Sequence, residues 1–346
     1  MPSKRSQAGS SLAAALVGLA AGAITVVAIL ATFASTEALK RNAVGIADAQ
    51  HGGALAVLAL VTDIANAGHG LAPAIHELAT CPDSGELRTS LRPVPILINA
   101  GAAAEASDSI SVNSSGGHAI AGALALASAP ASGLALRVRS PLGLGVDDAV
   151  AVVGLDGSCE VTTLSAISGP DPDGVIDAVH TGLNGAFPLT ALIVDLGPRG
   201  RWRRVRYDIA EGSLRSLDLA TPGATPNPLL ANAVLLKAQY GIDSDGDGTL
   251  DAWVGAGAAP WTPATVLAAP AATLASVKAV RFGIVVRSET PDRAVTTPFR
   301  WVMFDCGQDD AASCPGRLSG ALPPGWRYLT LEAVVPLRNQ IWAARP

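Results

Sequence analysis

The chain has 346 residues and a formal net charge of −5, and it carries no basic stripe that would release counterions, which excludes nucleic acid as a partner. Apolar residues make up 49% but aromatics only 4%, so the core must be built from small aliphatics. The 36 Gly and 24 Pro predict a turn-rich body containing β-structure, as one large domain or two small ones.

The first element is apolar. No charged residue occurs from Ser6 to Thr36, and between Leu12 and Phe33 nearly every residue is Leu, Val, Ile, Ala or Gly. About two dozen such residues span the ~30 Å hydrocarbon core as a helix, whereas a cleavable secretory signal has an apolar core of only ~7–15 residues. Lys4 and Arg5 favour a cytoplasmic N-terminus, with Lys40 and Arg41 weakening that bias from the far side. A stem follows in helical register, with Leu39, Ala43, Ile46, Leu55, Leu58, Val61 and Ala65 at spacings that place them on one face. Gly45, Gly52 and Gly53 interrupt it at ~1 kcal/mol each against Ala, which predicts softening or a kink. Gly68 and Gly70 suit the helix C-terminus.

Beyond the stem, strand candidates fall at 96–99, 109–112, 134–139, 149–155, 161–167 and 191–196. Residues 119–131 are nearly all Ala, Gly and Ser, a low-complexity insertion. Strand candidates 202–209 and 214–219 flank a hairpin loop at Ala210-Glu211-Gly212. Residues 229–239 read as a helix turning into a strand, and 277–286 and 328–335 as late strands, the last with Leu329, Leu331, Ala333 and Val335 on one face. Many strands after one long helix predict an α+β fold, a mainly antiparallel sheet head packed on a stem helix.

Four cysteines lie beyond the apolar stretch, and their even count favours two disulfides in an oxidising compartment. Of the three possible pairings, Cys306–Cys314 closes a short loop around Gly307 and Pro315, which leaves Cys81 with Cys159. The sharpest motif runs from Asp243 to Asp251. Asp243, Asp245, Asp247 and Asp251 alternate as in the first half of an EF-hand loop, with Gly248 at the turn, and predict one calcium ion of weak affinity, ~10⁻⁴–10⁻³ M. The bidentate Glu of the twelfth position is replaced by Val254, and a solvated Asp-Gly turn is the alternative. Asp171, Asp173 and Asp177 repeat part of the spacing and read as a plain turn. His51, His69, His76, His118 and His180 are scattered, and no nucleophile elbow or phosphate loop occurs, so the chain reads as a non-enzyme.

Several blocks carry a family resemblance. A short basic leader ending in Gly9, then Ser10 and an unbroken apolar helix, resembles the class III leader of type IV pilins and type II secretion pseudopilins. The resemblance implies that a prepilin peptidase cuts between Gly9 and Ser10 and methylates the new N-terminus. That family carries Glu five residues after the cut, where this chain has Ala14. The stem from Ala49 to Gly70, then 234–243, 277–288 and 335–339, resemble the blocks of PilW-type minor pilins in the family's order. It implies a leader (1–9), a transmembrane helix (10–36), a stem helix (37–68) and an exported pilin-like head (69–346). It further implies a structural subunit of the tip or priming complex of a type IV pilus. Its partners would be other minor pilins and the major pilin through the N-terminal helix, and its head would lie in the periplasm and then at the cell surface. A type II secretion pseudopilin, or an anchored calcium-binding or adhesive domain, are the alternatives.

Overall fold

The computed structural model describes residues 12–71, 94–115, 123–128, 135–154, 158–183, 185, 187–198, 203–221, 223–307 and 314–339. The fold is α+β, one long helix carrying antiparallel sheets. Helix α1 (Leu12–Ala65) is 54 residues long, about 80 Å at 1.5 Å per residue. Every residue from Ala14 to Thr36 is exposed, and Glu37 at the end of this apolar span is half-buried. Burial begins at Gly53 and recurs at Ala56, Leu60, Ile64 and Ala67, one stripe at helical spacing. The helix stops where expected, with Gly68 and Gly70 at φ +73° and +74° and the Gly68 amide donating to the Asn113 carbonyl at 2.8 Å.

The glycines inside the stem do something other than kink it. Helix α1 runs through Gly45, Gly52 and Gly53 without a break. A Cβ at Gly53 would collide with Leu331 Cδ1, and one at Gly52 would lie 2.9 Å from Leu230 Cδ1. The missing side chains form a notch that lets the head close onto the helix, so contact offsets the lost helix propensity.

Strands β1 (Ile96–Asn99) and β2 (Ser109–Ser114) come first. Then β3 (Leu124–Ser128), β4 (Ala135–Val138), β5 (Asp148–Val153), β6 (Cys159–Ile167), β7 (Ile176–His180) and β8 (Leu192–Pro198) close into a six-stranded barrel in the order β3-β4-β7-β6-β5-β8. The chain returns through β9 (Arg203–Ala210), β10 (Ser213–Asp218), β11 (Asn227–Ala231), β12 (Ala233–Ile242) and β13 (Ala252–Gly255). Two one-turn helices, α2 (Pro263–Leu267) and α3 (Ala271–Ala275), precede β14 (Val277–Arg287), β15 (Phe299–Met303), β16 (Leu318–Leu322) and β17 (Tyr328–Pro336). Strands β1-β2-β9-β10-β11 form one sheet, β13-β12-β14-β17 a second, and β15-β16 a ribbon.

The main core lies where the stem stripe meets the two larger sheets: Leu60 and Ile64 pack with Ile98, Ile110, Leu214, Tyr240, Phe282 and Ile284. The Tyr240 hydroxyl accepts from the Ile98 amide at 2.6 Å and ties the sheets together. The barrel has its own core, including Leu136, Val138, Val150, Val152, Leu164, Ile176 and Ile193. Strand β5 is buried on both faces because Ala149, Ala151 and Val153 point outward to a third cluster with Leu71, just past the stem. Ser114 pairs with Arg203, so the chain leaves the first sheet for the barrel and rejoins it at adjacent positions. The segment expected as one head, 69–346, is thus folded around separate cores.

One further local expectation is corrected. Residues 229–239 contain no helix: Asn232, at φ +59°, turns β11 of one sheet directly into β12 of the other. Within the Ala-rich 119–131 stretch, Leu124–Ser128 forms β3, because pairing with β4 and β8 supplies the order that its composition does not. The expected hairpin loop is present and consists of Glu211 and Gly212, at φ +54° and +69°, with Ala210 paired to Ser213.

Candidate functional site

Three features of the stem and head are candidates for function. The first is the uncovered half of α1. Leu16, Val17, Leu19, Ile24, Val27, Ile29, Leu30 and Phe33 are all more than half exposed, an apolar surface that cannot remain in water. Its few polar side chains are satisfied within the helix: Thr25, Thr32 and Thr36 hydroxyls donate to the carbonyls of Ala21, Ala28 and Thr32 at 2.8–2.9 Å. That self-sufficiency suits hydrocarbon, where no water can replace a partner. Gly9 and Ser10 lie outside the described residues.

The stem's upper end is pinned to the head by polar contacts. Asp63 accepts two 2.6 Å bonds from Arg203 and one from the Tyr207 hydroxyl. Burial and the Asp63 carboxylate push the Tyr207 pKa well above the usual tyrosine range. The Asn339 amide donates to the Ala67 carbonyl at 3.0 Å.

The second feature is the acidic loop between β12 and β13. Asp243, Asp245 and Asp247 each bring a carboxylate oxygen within 4.8 Å of the others. Asp243 is buried, and its two oxygens accept from the amides of Gly246 and Gly248, which sit at φ +80° and +89°. Asp251, expected as the fourth ligand, is not in that group. Its Oδ2 accepts from the Ser244 amide at 2.7 Å and from the Ser244 hydroxyl, which closes the hairpin and holds its pKa below the usual carboxylate value. The Thr249 hydroxyl and amide likewise lower Asp247. Three carboxylates therefore cluster in the loop, while Asp251 closes the turn. Asp171 and Asp177 instead pair with Arg137, and Asp171 Oδ1 accepts from the Asp173 and Val175 amides, the geometry of a turn.

The third is the loop closed by Cys306 and Cys314, which form the expected disulfide with Cα atoms 5.6 Å apart. Cys159 is also disulfide-bonded, and Cys81, its expected partner, lies outside the described residues. Sequence reasoning missed what anchors the 306–314 loop. Arg281, buried beside the two ends of that segment, lies 4.6 Å from the Trp253 ring and 4.5 Å from the Phe304 ring and donates to Gln239 Oε1 and the Pro315 carbonyl. Gln239 in turn donates to the Gly316 carbonyl at 2.9 Å. Burial lowers the Arg281 pKa to about 10, with Glu332 acting against it. A second missed site is the buried Asp108–Lys237 pair at 3.1 Å, in which the carboxylate also accepts from the Gly101 and Ala238 amides. No local spacing links residues so far apart in the chain.

Among the described histidines, His51 is exposed, His69 half-buried and His180 buried in β7. His76 and His118 lie outside the described residues.

Residues 206–339 match the family model described as Type IV Pilus-assembly protein W. The matched region runs from within β9 to just past β17 and contains the sequence blocks 234–243, 277–288 and 335–339. The stem block and the barrel lie outside it. Among solved structures, a type IV-like pilin from Thermus thermophilus is similar at 14% identity, over 56% of this chain and 85% of that one, with a TM-score of 0.25. No curated protein matches the chain.

Proposed function

We propose that the chain is a membrane-anchored minor pilin of PilW type, a structural, non-enzymatic subunit of the tip or priming complex of a type IV pilus. The observation that carries this reading is the match of 206–339 to the pilus-assembly family over the strands that close onto the stem. In this reading the apolar half of α1 stores the subunit in the inner membrane. It then packs laterally against other minor pilins and the major pilin, and a prepilin peptidase first cleaves between Gly9 and Ser10. Replacing Gly9 with Val should leave a longer, unprocessed form, and normal maturation of that variant would remove the class III leader from the reading.

Placement at the tip rests on Ala14. A Glu at this position would neutralise the N-terminal amine of a neighbouring subunit inside the apolar bundle, and an unpaired buried charge costs about 3–5 kcal/mol. Ala14 offers no such neutralisation, and a terminal position avoids the need for it. A tag on the head should therefore label one end of intact pili. Regular labelling along the shaft would refute the tip placement.

Calcium at Asp243, Asp245 and Asp247 is a further part of the reading, with Asp251 supporting the turn. The full chain in detergent should gain thermal stability with millimolar-range calcium, as weak extracellular sites do. No gain, or the same gain in Asp245→Ala, would remove calcium from the proposal.

A further inference from the structure

Three contacts fix how the head lies along the stem. Asn339 bonds Ala67, Leu331 fills the notch at Gly53, and a Cβ at Gly45 would lie 3.8 Å from the Ser288 Cβ. Strand β17 therefore runs alongside the helix with its start toward the apolar end. The loop at Glu289 and Thr290 faces Glu37, Lys40, Val44 and Asp48 across a groove of about 200 Å³. Gly45 is eight residues past Glu37, the end of the apolar span, which is about 12 Å along a helix. The headgroup layer on each side of the hydrocarbon is ~5–8 Å thick. Tyr328 pairs with Arg287, so the loop before it, 323–327, extends further toward that layer.

The two loops at this end are built as one unit. The Ser288 amide donates to the Arg327 carbonyl at 2.7 Å, the Asp292 amide to Gly325 at 2.8 Å, and the Gly325 amide to Val295 at 2.8 Å. Arg327 Nε donates to Asp292 Oδ2 at 2.9 Å, and the Arg287 guanidinium lies 4.1 Å over the Trp326 ring. Arg293, Arg300 and Arg327 are exposed. Arg300 pairs with Ala321, two residues before the 323–327 loop, so four arginines, Arg287, Arg293, Arg300 and Arg327, stand at this end of the head against Glu289 and Asp292, in a chain whose net charge is −5. Lys40 on the stem adds to them, and Glu37 and Asp48 oppose.

We propose that the loops at 287–295 and 323–327 are a docking surface for the anionic phospholipid headgroups of the bilayer that holds the stem. An indole beside guanidinium groups at headgroup depth is the combination that anchors a protein at a membrane interface, and basic residues near an anionic surface are attracted within a Debye length. The surface would hold the head down on the membrane before the subunit is extracted into a pilus. The proposal rests on the membrane-anchored reading above.

The test uses the full chain in nanodiscs of phosphatidylcholine alone or of equal parts phosphatidylcholine and phosphatidylglycerol. Hydrogen exchange is followed in 287–297 and 323–328, with β14 as the folding control. The expected result is several-fold slower exchange of these loops in the anionic discs, reversed by high salt and lost in the Arg293→Glu/Arg300→Glu variant with β14 protection unchanged. The Arg293→Gln/Arg300→Gln variant gives a second reading should the charge reversal disturb β14. Equal exchange in both discs would overturn the docking surface while leaving the anchor intact. Equal slowing by inorganic phosphate in neutral discs would overturn the lipid assignment. A chain that enters neither disc would overturn the anchor itself and this surface with it.

Discussion

The sheets on the stem and the barrel beside them are both antiparallel and both cored by Leu, Val and Ile, yet they reach stability by opposite routes. The larger sheets leave β1, β11, β13 and β17 as edges and complete their core only with Leu60 and Ile64 of α1, both fully buried. The barrel closes on itself, which removes its edges, and among the described residues no stem side chain enters its interior cluster. A sheet that borrows its core from a helix is tied to that helix wherever it goes. Among the described residues, a barrel inserted at the adjacent positions Ser114 and Arg203 is tied by its two ends, by the outer face that meets Leu71 and by the disulfide at Cys159. The pilus-assembly family match falls on the first kind of structure and not on the second.

The largest effect expected to sharpen this contrast is at Asp108. Replacing it with Ala leaves the Lys237 ammonium buried and unpaired between β12 and the 103–106 loop, at a cost of about 3–5 kcal/mol. Hydrogen exchange should speed up in β1, β2 and β12 and stay unchanged in β5 and β6. Leu60→Ala should cost about 2–5 kcal/mol, again confined to the stem-packed sheets, and Leu136→Ala a similar amount confined to the barrel. Equal loss of protection in both regions from either substitution would mean that the two cores unfold as one. Replacing Cys306 and Cys314 with Ser should cost about 2–3 kcal/mol in the chain-entropy model. It should loosen the Arg281 contacts without touching the barrel, as a chemical-denaturation midpoint and barrel exchange rates would show.

The same contrast explains what could be seen in the sequence. In the stem-packed sheets the expected strands 277–286 and 328–335 correspond to β14 (Val277–Arg287) and β17 (Tyr328–Pro336), because long alternating or wholly apolar runs carry their own signal. The barrel strands 149–155 and 161–167 were equally visible, but closure was not. It depends on β3 pairing with β8, some seventy residues on, and β3 sits in a run of Ala and Ser that has no periodic signal. Strand β7 carries a weak signal for a different reason: it is only five residues long, and its inward Ile176, Ala178 and His180 include a titratable ring and follow directly on the acidic turn at Asp171–Asp173. Helix propensity, which is local, predicts a kink at Gly52 and Gly53, whereas their role is a contact with Leu230 and Leu331 far along the chain. In the acidic loop, spacing identified Asp243, Asp245 and Asp247 together but could not show that Asp251 turns back to Ser244.

The smallest expected effect separates the two regions by pH. His180 is only 3% exposed and points inward from β7 beside Ile176 and Ala178. Its Nδ1 accepts from the Gly182 amide at 3.1 Å, while Nε2 is buried without a hydrogen-bond partner among the described residues. Burial holds its pKa below the ordinary 6.5, and the Glu160 carboxylate on β6 works partly against that. A depressed histidine pKa means that the unfolded chain binds the proton more readily than the folded one. Stability is therefore full above about pH 6.5, falls as pH drops through that value, and stops falling once the folded pKa is passed. The loss belongs to the barrel alone, because no stem-packed strand contacts this ring through a hydrogen bond or a charge among the described residues. Barrel exchange rates should accelerate between neutral and mildly acidic pH while those of β14 stay level, and His180→Gln should flatten the barrel's response. A pH dependence of equal size in β14, or an unchanged slope in His180→Gln, would place the titrating group elsewhere and join the two regions that the cores divide.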